Sequence, residues 1–417
     1  MSDRDLLDVI DLKRAWVVEC GDVREVLRAL PEGCVDTVIT SPPYWGLRDY
    51  NLQPQLWGAD PDCQHEWGDP FVATETNYTG KKRWQHVHNG RGELQDELQE
   101  RAGWVRSSVE QGAMCQRCGA WVGSLGLEPT PEMYVAHLAE VVESIRRVLR
   151  PDGTLWLNLG DCHNAYNGNS GPGSSIDGPG VARNSQRPRL PSGHGLRTPA
   201  LKPKDLVGVP WMAAFELRAQ GWWLRSAIVW AKGISPGRGH PIPESVKDRP
   251  INAYEHLFLL TRSARYFYDY EGAGREPSTS GPSDLRKMAE GQARFGGKSL
   301  GNEDRLNAAN VRTKLGRQRS VGRGDGRSLR NVWHIPTEPY RGMHFATFPK
   351  RLAERCIRLG SRGGGLVLDP FCGAGTAGLV ARRLGRRFIG IDLSDEYAAD
   401  ARRRIYGDAP LFNGGSE

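Results

Sequence analysis

Thr40-Ser41-Pro42-Pro43-Tyr44-Trp45 places a hydroxyl, two prolines and two aromatic rings directly behind an apolar, strand-like run from Val35 to Ile39. The prolines fix φ and carry no N–H, so the segment is stiff and its carbonyl oxygens are left as acceptors. Ser41 adds a side-chain acceptor, while Tyr44 and Trp45 offer flat π faces. Acceptors beside aromatic faces suit a planar ring that bears an amino group. The plain alternative is a proline turn that closes a strand.

A second chemistry-bearing stretch lies more than 300 residues later. Leu366-Val367-Leu368 reads as a short buried strand and runs into Asp369-Pro370-Phe371-Cys372-Gly373-Ala374-Gly375-Thr376, with an apolar helix from Ala377 to Leu384 behind it. Gly373 and Gly375 allow tight turning and close approach of backbone to a ligand, and the helix start supplies unpaired N–H donors. The next strand, Arg387 to Ile391, ends at Asp392, 23 residues beyond Asp369. A carboxylate there can accept both hydroxyls of a ribose. No P-loop lysine follows the turn, and it is read as favouring an adenosine ligand without a phosphate chain.

Cys63-Gln64-His65 and Cys115-Gln116-Arg117-Cys118 form two short ligand pairs, the arrangement a tetrahedral structural zinc needs. Gly68 and Gly119 permit the turns, and His86 and His88 are alternatives to His65. Ordinary buried thiols are the competing reading, although no apolar periodicity surrounds these cysteines. Such a zinc would hold a lobe carrying Trp57, Trp67 and Trp121 near a nucleic-acid partner rather than activate water.

The elements that must position these residues alternate strand and helix. Trp16 to Val18, a helix Val23 to Leu30 and the strand Val35 to Ile39 set the rhythm, which residues 61–129 interrupt as an insertion. It resumes with a helix from Pro131 to Leu149, a turn at Pro151-Asp152-Gly153 and a strand from Thr154 to Leu159. A helix Trp211 to Gln220 and strands Arg225 to Trp230 and His256 to Thr261 extend the sheet. Residues 161–205, rich in Gly, Ser, Pro and Arg, read as a flexible loop. Residues 276–330 read as a basic flexible segment; from Arg286 to Arg330, twelve basic residues face four acids. That segment is either a solvated linker or an arm on phosphates. The last α/β stretch spans 331–407 and leaves a tail, 408–417.

With 417 residues and a formal charge of +7, the chain can bury a sizeable core and is compatible with a polyanionic partner. Residues Met1 to Ile10 carry three Asp and no apolar signal region, and no long apolar run follows, so a soluble, cytoplasmic protein without a membrane partner is expected. Eight cysteines are too sparse for a disulfide scaffold.

Together, Ser41-Pro42-Pro43-Tyr44 and Asp369-Pro370-Phe371-Cys372-Gly373-Ala374-Gly375-Thr376 resemble the signatures of the amino-group DNA methyltransferases. The likeness is to the permuted β group, in which the Ser/Asp-Pro-Pro-Tyr loop precedes the Phe-x-Gly-x-Gly loop. It covers about 15–60, 130–160, 206–275 and 331–405. The resemblance implies a Rossmann-like α/β sheet with permuted motif order, bacterial or phage origin, and methyl transfer from S-adenosylmethionine to an exocyclic amine of double-stranded DNA. A companion restriction endonuclease is left open. By the same likeness, Ser41, Pro42, Pro43 and Tyr44 are catalytic. Asp369, Phe371, Gly373, Gly375, Thr376 and Asp392 bind the cofactor, joined by Asp22 on its far side and by Phe345 and Pro349 over its methionine part. Trp230 and Lys232 lie near the target base.

The chemistry fits these residue types. An amine conjugated to a base ring is a poor nucleophile, and acceptors on its N–H groups, Ser41 and the Pro42 carbonyl, localise the lone pair. The sulfonium is already reactive, so alignment is the larger lever. Cys372 sits inside the cofactor turn and not beside the base loop, which argues against a covalent cytosine-C5 enzyme. A base drawn from a duplex must be flipped out, and Tyr44 is the expected stacking platform. Trp45 is equally its neighbour or a core residue. In the family, serine at the first loop position accompanies N4 of cytosine and aspartate N6 of adenine. Cytosine is therefore expected, with adenine as the alternative. RNA as substrate, and a zinc-containing nucleic-acid-binding protein that has lost catalysis, are the competing functions.

Overall fold

The structure, a computed structural model, describes residues 3–46, 50, 52–69, 71–78, 104–111, 113–164, 189–190, 200–233, 247–276, 327–338 and 348–408. Contacts divide the chain into two compact units, Met1–Phe267 with Val332–Glu417, and Tyr268–Asn331. His86, His88, Phe345 and the tail 409–417 lie outside the described residues, as do most of the Gly- and Ser-rich loop and of the basic segment.

The first unit opens with β1 (Trp16–Cys20) and β2 (Val35–Thr40). The insertion holds β3 (Gln55–Trp57), β4 (Phe71–Tyr78), β5 (Trp104–Gln111), β6 (Ala113–Met114) and β7 (Trp121–Gly123). Then come β8 (Leu149–Leu159), β9 (Arg189–Leu190), β10 (Trp223–Ala231) and β11 (Tyr254–Thr261). The second unit pairs β12 (Arg275–Glu276) with β13 (Arg327–Ser328), and the first resumes with β14 (Val332–His334), β15 (Leu366–Asp369) and β16 (Arg387–Asp392).

Eight of these strands form one sheet in the order β1-β16-β15-β2-β8-β11-β10-β14. All are parallel except β11, which runs antiparallel to both β8 and β10. The two strands that close the fold, β15 and β16, lie between the two that open it. Such a sheet must be covered on both faces, and β15 is accordingly buried along its whole length. Leu155, Leu157 and Leu159 of β8 share one core with Tyr134, Leu138, Val141 and Ile145 of the helix Pro131–Val148. That helix starts where the Thr130 side chain accepts from the Met133 N–H at 3.2 Å and Pro131 occupies the first turn. The alternate residues, Thr154 and Trp156, face the helix Lys350–Gly360.

One boundary differs from its sequence expectation by more than two residues. β8 starts at Leu149 and runs through Pro151-Asp152-Gly153, where a turn is expected. Its pairing with β2 jumps from Val35↔Leu149 to Thr37↔Thr154, so Pro151 lies in a bulge that asks no N–H of it.

Gly360 marks the tightest contact between helix and sheet. A Cβ there would stand 2.3 Å from Thr154 Oγ1 and 2.6 Å from Thr37 Oγ1, two hydroxyls that are themselves 2.8 Å apart. Gly360→Ala is expected to destabilise the protein by about 1–3 kcal/mol, read as a lowered denaturation midpoint; an unchanged midpoint would show that the helix can slide.

Candidate active site

The two signature loops leave the carboxyl ends of adjacent parallel strands. From β15 the chain turns through the helix Thr376–Arg383 to β16 on one side; from β2 it reaches β8 on the other through the helix Pro131–Val148. The strand order therefore reverses between β15 and β2, and a crevice opens at their carboxyl ends. The last residues of the two strands are joined there: Thr40 Oγ1 donates to Asp369 Oδ1 at 2.8 Å.

On the β15 side, Gly373 and Gly375 adopt positive φ of 47° and 69°. A Cβ on Gly375 would also approach Ala401 Cβ to 2.9 Å, so glycine is demanded twice. The Gly373 N–H donates to Asp392 Oδ2 at 2.8 Å and the Ser394 N–H to its Oδ1 at 2.9 Å. Arg404 clamps the turn from the carboxyl-terminal helix, donating to the Ala374 carbonyl at 2.8 Å and to Thr376 Oγ1 at 3.0 Å. Phe371 packs against the core, and its N–H reaches Asp369 Oδ1 at 3.2 Å. Asp369 Oδ2 is buried and has no partner among the described residues. Burial pushes the Asp369 carboxyl up to about 7 against the pull of Thr40 and the Phe371 N–H, and the Asp392 carboxyl up to about 6. An orphaned oxygen at the mouth of a glycine turn fits a hydrogen-bonding ligand such as the amino and hydroxyl groups of an adenosyl compound.

Asp22 sits on the same rim, since Gly21 donates to the Asp392 carbonyl at 3.0 Å. Its carboxylate is engaged locally: it caps the helix Val23–Ala29 through the Arg24 N–H at 2.8 Å and pairs with the Arg24 guanidinium at 2.6 Å. Pro349, buried, caps the helix Lys350–Gly360.

On the β2 side, Ser41 Oγ donates to Tyr44 Oη at 2.9 Å, and Tyr44 Oη donates to Glu255 Oε2 at 2.8 Å. Asn158 Nδ2 donates to Tyr44 Oη at 2.6 Å and to Glu255 Oε2 at 2.7 Å. Lys232 pairs with Glu255. Burial, and next the Glu255 charge, hold the Tyr44 phenol well above its ordinary pKa and so protonated. Its ring lies against Gly160, where a Cβ would come within 2.7 Å of it. The Pro43 carbonyl accepts from the Tyr134 hydroxyl at 2.9 Å, so of the two proline carbonyls Pro42 is the one left for a substrate. Trp45 is a core residue: it is 1% exposed, with its indole N–H on the Glu128 carbonyl at 2.9 Å. Trp230 is likewise buried, donating to the Ile335 carbonyl at 2.7 Å, and it presents its ring to Lys232 at 5.3 Å.

Within the insertion, the ligand atoms of Cys63, His65, Cys115 and Cys118 lie within 4.8 Å of one another. Cys63 and Cys115 sulfurs are 3.9 Å apart, and Cys118 Sγ is 3.5 Å from His65 Nδ1. A tetrahedron with metal–sulfur bonds of about 2.3 Å has edges of about 3.8 Å, so these two pairs match the spacing zinc needs and the widest separation would close by about 1 Å. Gly119, at φ 76°, makes the turn behind Cys118.

The DNA methylase family matches residues 35–403 of the chain. Type II methyltransferase M.SmaI of Serratia marcescens is 33% identical over 94% of this chain and 91% of that protein. Type II methyltransferase M.Cfr9I of Citrobacter freundii is 31% identical over 96% and 90%. The chain belongs to this DNA methylase family. Among solved structures, the PvuII DNA methyltransferase (cytosine-N4-specific) is 16% identical, covers 97% of this chain and 89% of its own, and has a TM-score of 0.46.

Four residues of this methylase's site were not marked by sequence reasoning: Thr40, Asn158, Glu255 and Arg404. Asn158 left a signal, a lone amide within Leu155-Trp156-Leu157-Asn158-Leu159, where a buried polar side chain needs a partner. Glu255 is the second residue of its strand, ahead of the apolar run Leu257 to Leu260, and neither spacing nor composition ties it to Tyr44, 211 residues away.

Asp369 gives the methylase a distinctive pH dependence. Its folded carboxyl holds a proton up to about 7, whereas an unfolded aspartate gives it up near 3.9. Between those values the native state binds more protons, so this group's contribution to stability falls as pH rises through the window. The ligand-free protein should lose denaturation midpoint between about pH 4 and pH 7, and Asp369→Asn should reduce that slope, Asp392 keeping its share; equal slopes in both proteins would place the charge elsewhere.

Proposed function

We propose that the protein transfers the methyl group of S-adenosylmethionine to N4 of a cytosine flipped out of double-stranded DNA. The observation that carries this reading is the meeting of the two loops at the switch point, with a neutral hydroxyl acceptor, Ser41, one residue beyond the Thr40–Asp369 bond. The cofactor lies, in this reading, on the turn of Phe371, Gly373, Gly375 and Thr376, with its donors toward Asp369 and Asp392. The base enters beside Ser41 and the Pro42 carbonyl, which accept its two N–H groups and turn the nitrogen lone pair toward the methyl. Tyr44 serves here as part of the wall behind Ser41, because its hydroxyl is bonded and its ring is packed. The protein acts in a bacterial cytoplasm, alone or beside a restriction endonuclease of the same sequence preference.

Adenine N6 is the second reading. A hydroxyl can accept from either amine, and the choice of cytosine rests on the family pattern in which serine occupies this place. Incubation with tritiated S-adenosylmethionine and mixed-sequence duplex DNA, followed by mapping of the modified base, decides between them. DNA binding without transfer would favour an inactive binding protein, and preference for RNA competitor would redirect the substrate. Ser41→Ala is expected to lower turnover on the order of 10²-fold while leaving the dissociation constant for S-adenosylmethionine within about twofold. Equal loss of both would remove Ser41 from the transfer step.

We also infer a structural zinc on Cys63, His65, Cys115 and Cys118. The purified protein should carry one zinc per chain by elemental analysis, and chelation should lower its melting temperature by several degrees. A melting temperature indifferent to metal removal would leave the four residues as ordinary thiols and imidazole.

A further inference from the structure

We propose that Glu255 is a positioning residue that sets the polarity of the Ser41 hydroxyl through Tyr44 and ends a proton path out of the site. The proposal rests on the amino-methyltransferase reading given above and concerns residues to which that reading assigns no such role.

The donor count fixes the direction of the chain of bonds. Paired with Lys232, Glu255 is a carboxylate and can only accept. Tyr44 has one proton, and it goes to Glu255 Oε2 at 2.8 Å. The lone pairs of Tyr44 Oη then take the Asn158 N–H at 2.6 Å and the Ser41 O–H at 2.9 Å. Ser41 has thus spent its only proton on Tyr44; Asn158 Nδ2 lies 3.5 Å from its oxygen, and the remaining lone-pair capacity faces the crevice. A serine free to rotate could equally donate to a ring nitrogen of the base, which would hold the base in place without polarising its amine. The Glu255–Tyr44 pair removes that option. Asn158, 2% exposed, fastens both members of the pair and so locks the direction.

The same bonds handle the proton that the reaction sheds. S-adenosylmethionine, when bound, supplies an electrophilic methyl whose C–S electron pair stays with sulfur as the amine lone pair forms the N–C bond. The nitrogen is left positive with one proton in excess. That proton passes to Ser41 Oγ as Ser41's own moves to Tyr44 Oη and Tyr44's to Glu255 Oε2, and the N–H electron pair returns to nitrogen. Glu255 finishes as a neutral acid, and its side chain, 12% exposed, gives the proton to water.

Single-turnover methyl transfer to duplex DNA tests this, with S-adenosylmethionine affinity measured by calorimetry on the same samples. Tyr44→Phe and Glu255→Gln are each expected to slow transfer by about 10–100-fold with cofactor and DNA affinities within about twofold. Because the residues act in series, the double variant should be no slower than the slower single variant, within about threefold. Glu255→Gln combined with Lys232→Met removes both charges and serves if the lone lysine unfolds the single variant. Wild-type transfer rates in Tyr44→Phe, or losses that multiply in the double variant, would overturn the relay. Absence of transfer by the wild-type protein would instead defeat the methyltransferase reading itself.

Discussion

The pairing of β2 with β15 is the constraint on which the site depends. Val367 pairs with Thr37 and Leu368 with Val38, which brings Thr40 to Asp369 across 329 residues of chain. Closing so long a loop costs conformational entropy, and burial of both strands on two faces offsets it. The register matters as much as the contact. A slip of one residue would move the serine loop by about 3.3 Å and turn every side chain of β2 to the opposite face. Ser41 would then leave the mouth of the glycine turn, and a transfer that needs donor and acceptor atoms about 3–3.5 Å apart would be lost.

A second brace fixes the loop from outside. His137 lies between Trp57 and Trp121, with ring centroids 5.3 and 5.6 Å away, and its Nδ1 meets Glu128 Oε1 at 3.1 Å. The other oxygen of Glu128 accepts from the Gly126 N–H at 2.8 Å, and its backbone carbonyl takes the Trp45 indole. Gly126 in turn receives the Gly46 N–H at 2.8 Å. The lobe that carries the cysteine cluster is thereby wired to the residues that follow Ser41. Trp57 and Trp121, expected near a nucleic-acid partner, are buried in this brace, whereas Trp67 is exposed.

What could be read from the sequence, and what could not, follows from the range of the interactions. The glycine turn was legible because positive φ at Gly373 and Gly375 leaves a local mark, and the metal cluster because ligand pairs are short-range. β1, β2, β10, β11, β15 and β16 were legible from apolar runs to within two residues; at β8 a bulge extends the strand through a proline, and β14 and the short strands outside the main sheet left no such run. Trp45 and Trp230 carried no mark separating a base contact from a core ring, since an aromatic beside a polar loop serves both uses, and burial decided for the core. Asn158 and Glu255 acquire their roles only when β8 and β11 stand side by side in antiparallel register, a pairing that no local pattern encodes.

The two halves of the site handle charge in opposite ways. Around the glycine turn, Asp369 and Asp392 are buried carboxyls whose ionisation burial resists. On the base side the negative charge is kept two hydrogen bonds back, at Glu255, and balanced by Lys232. A carboxylate in the place of Ser41 would follow directly on Thr40, whose hydroxyl is bonded to the buried Asp369 carboxyl. In the proposed relay, delivering that charge through Tyr44 gives Ser41 the character of an acceptor without placing a further acid in the crevice. The neutral first residue of the loop and the distant glutamate are then two parts of one electrostatic solution.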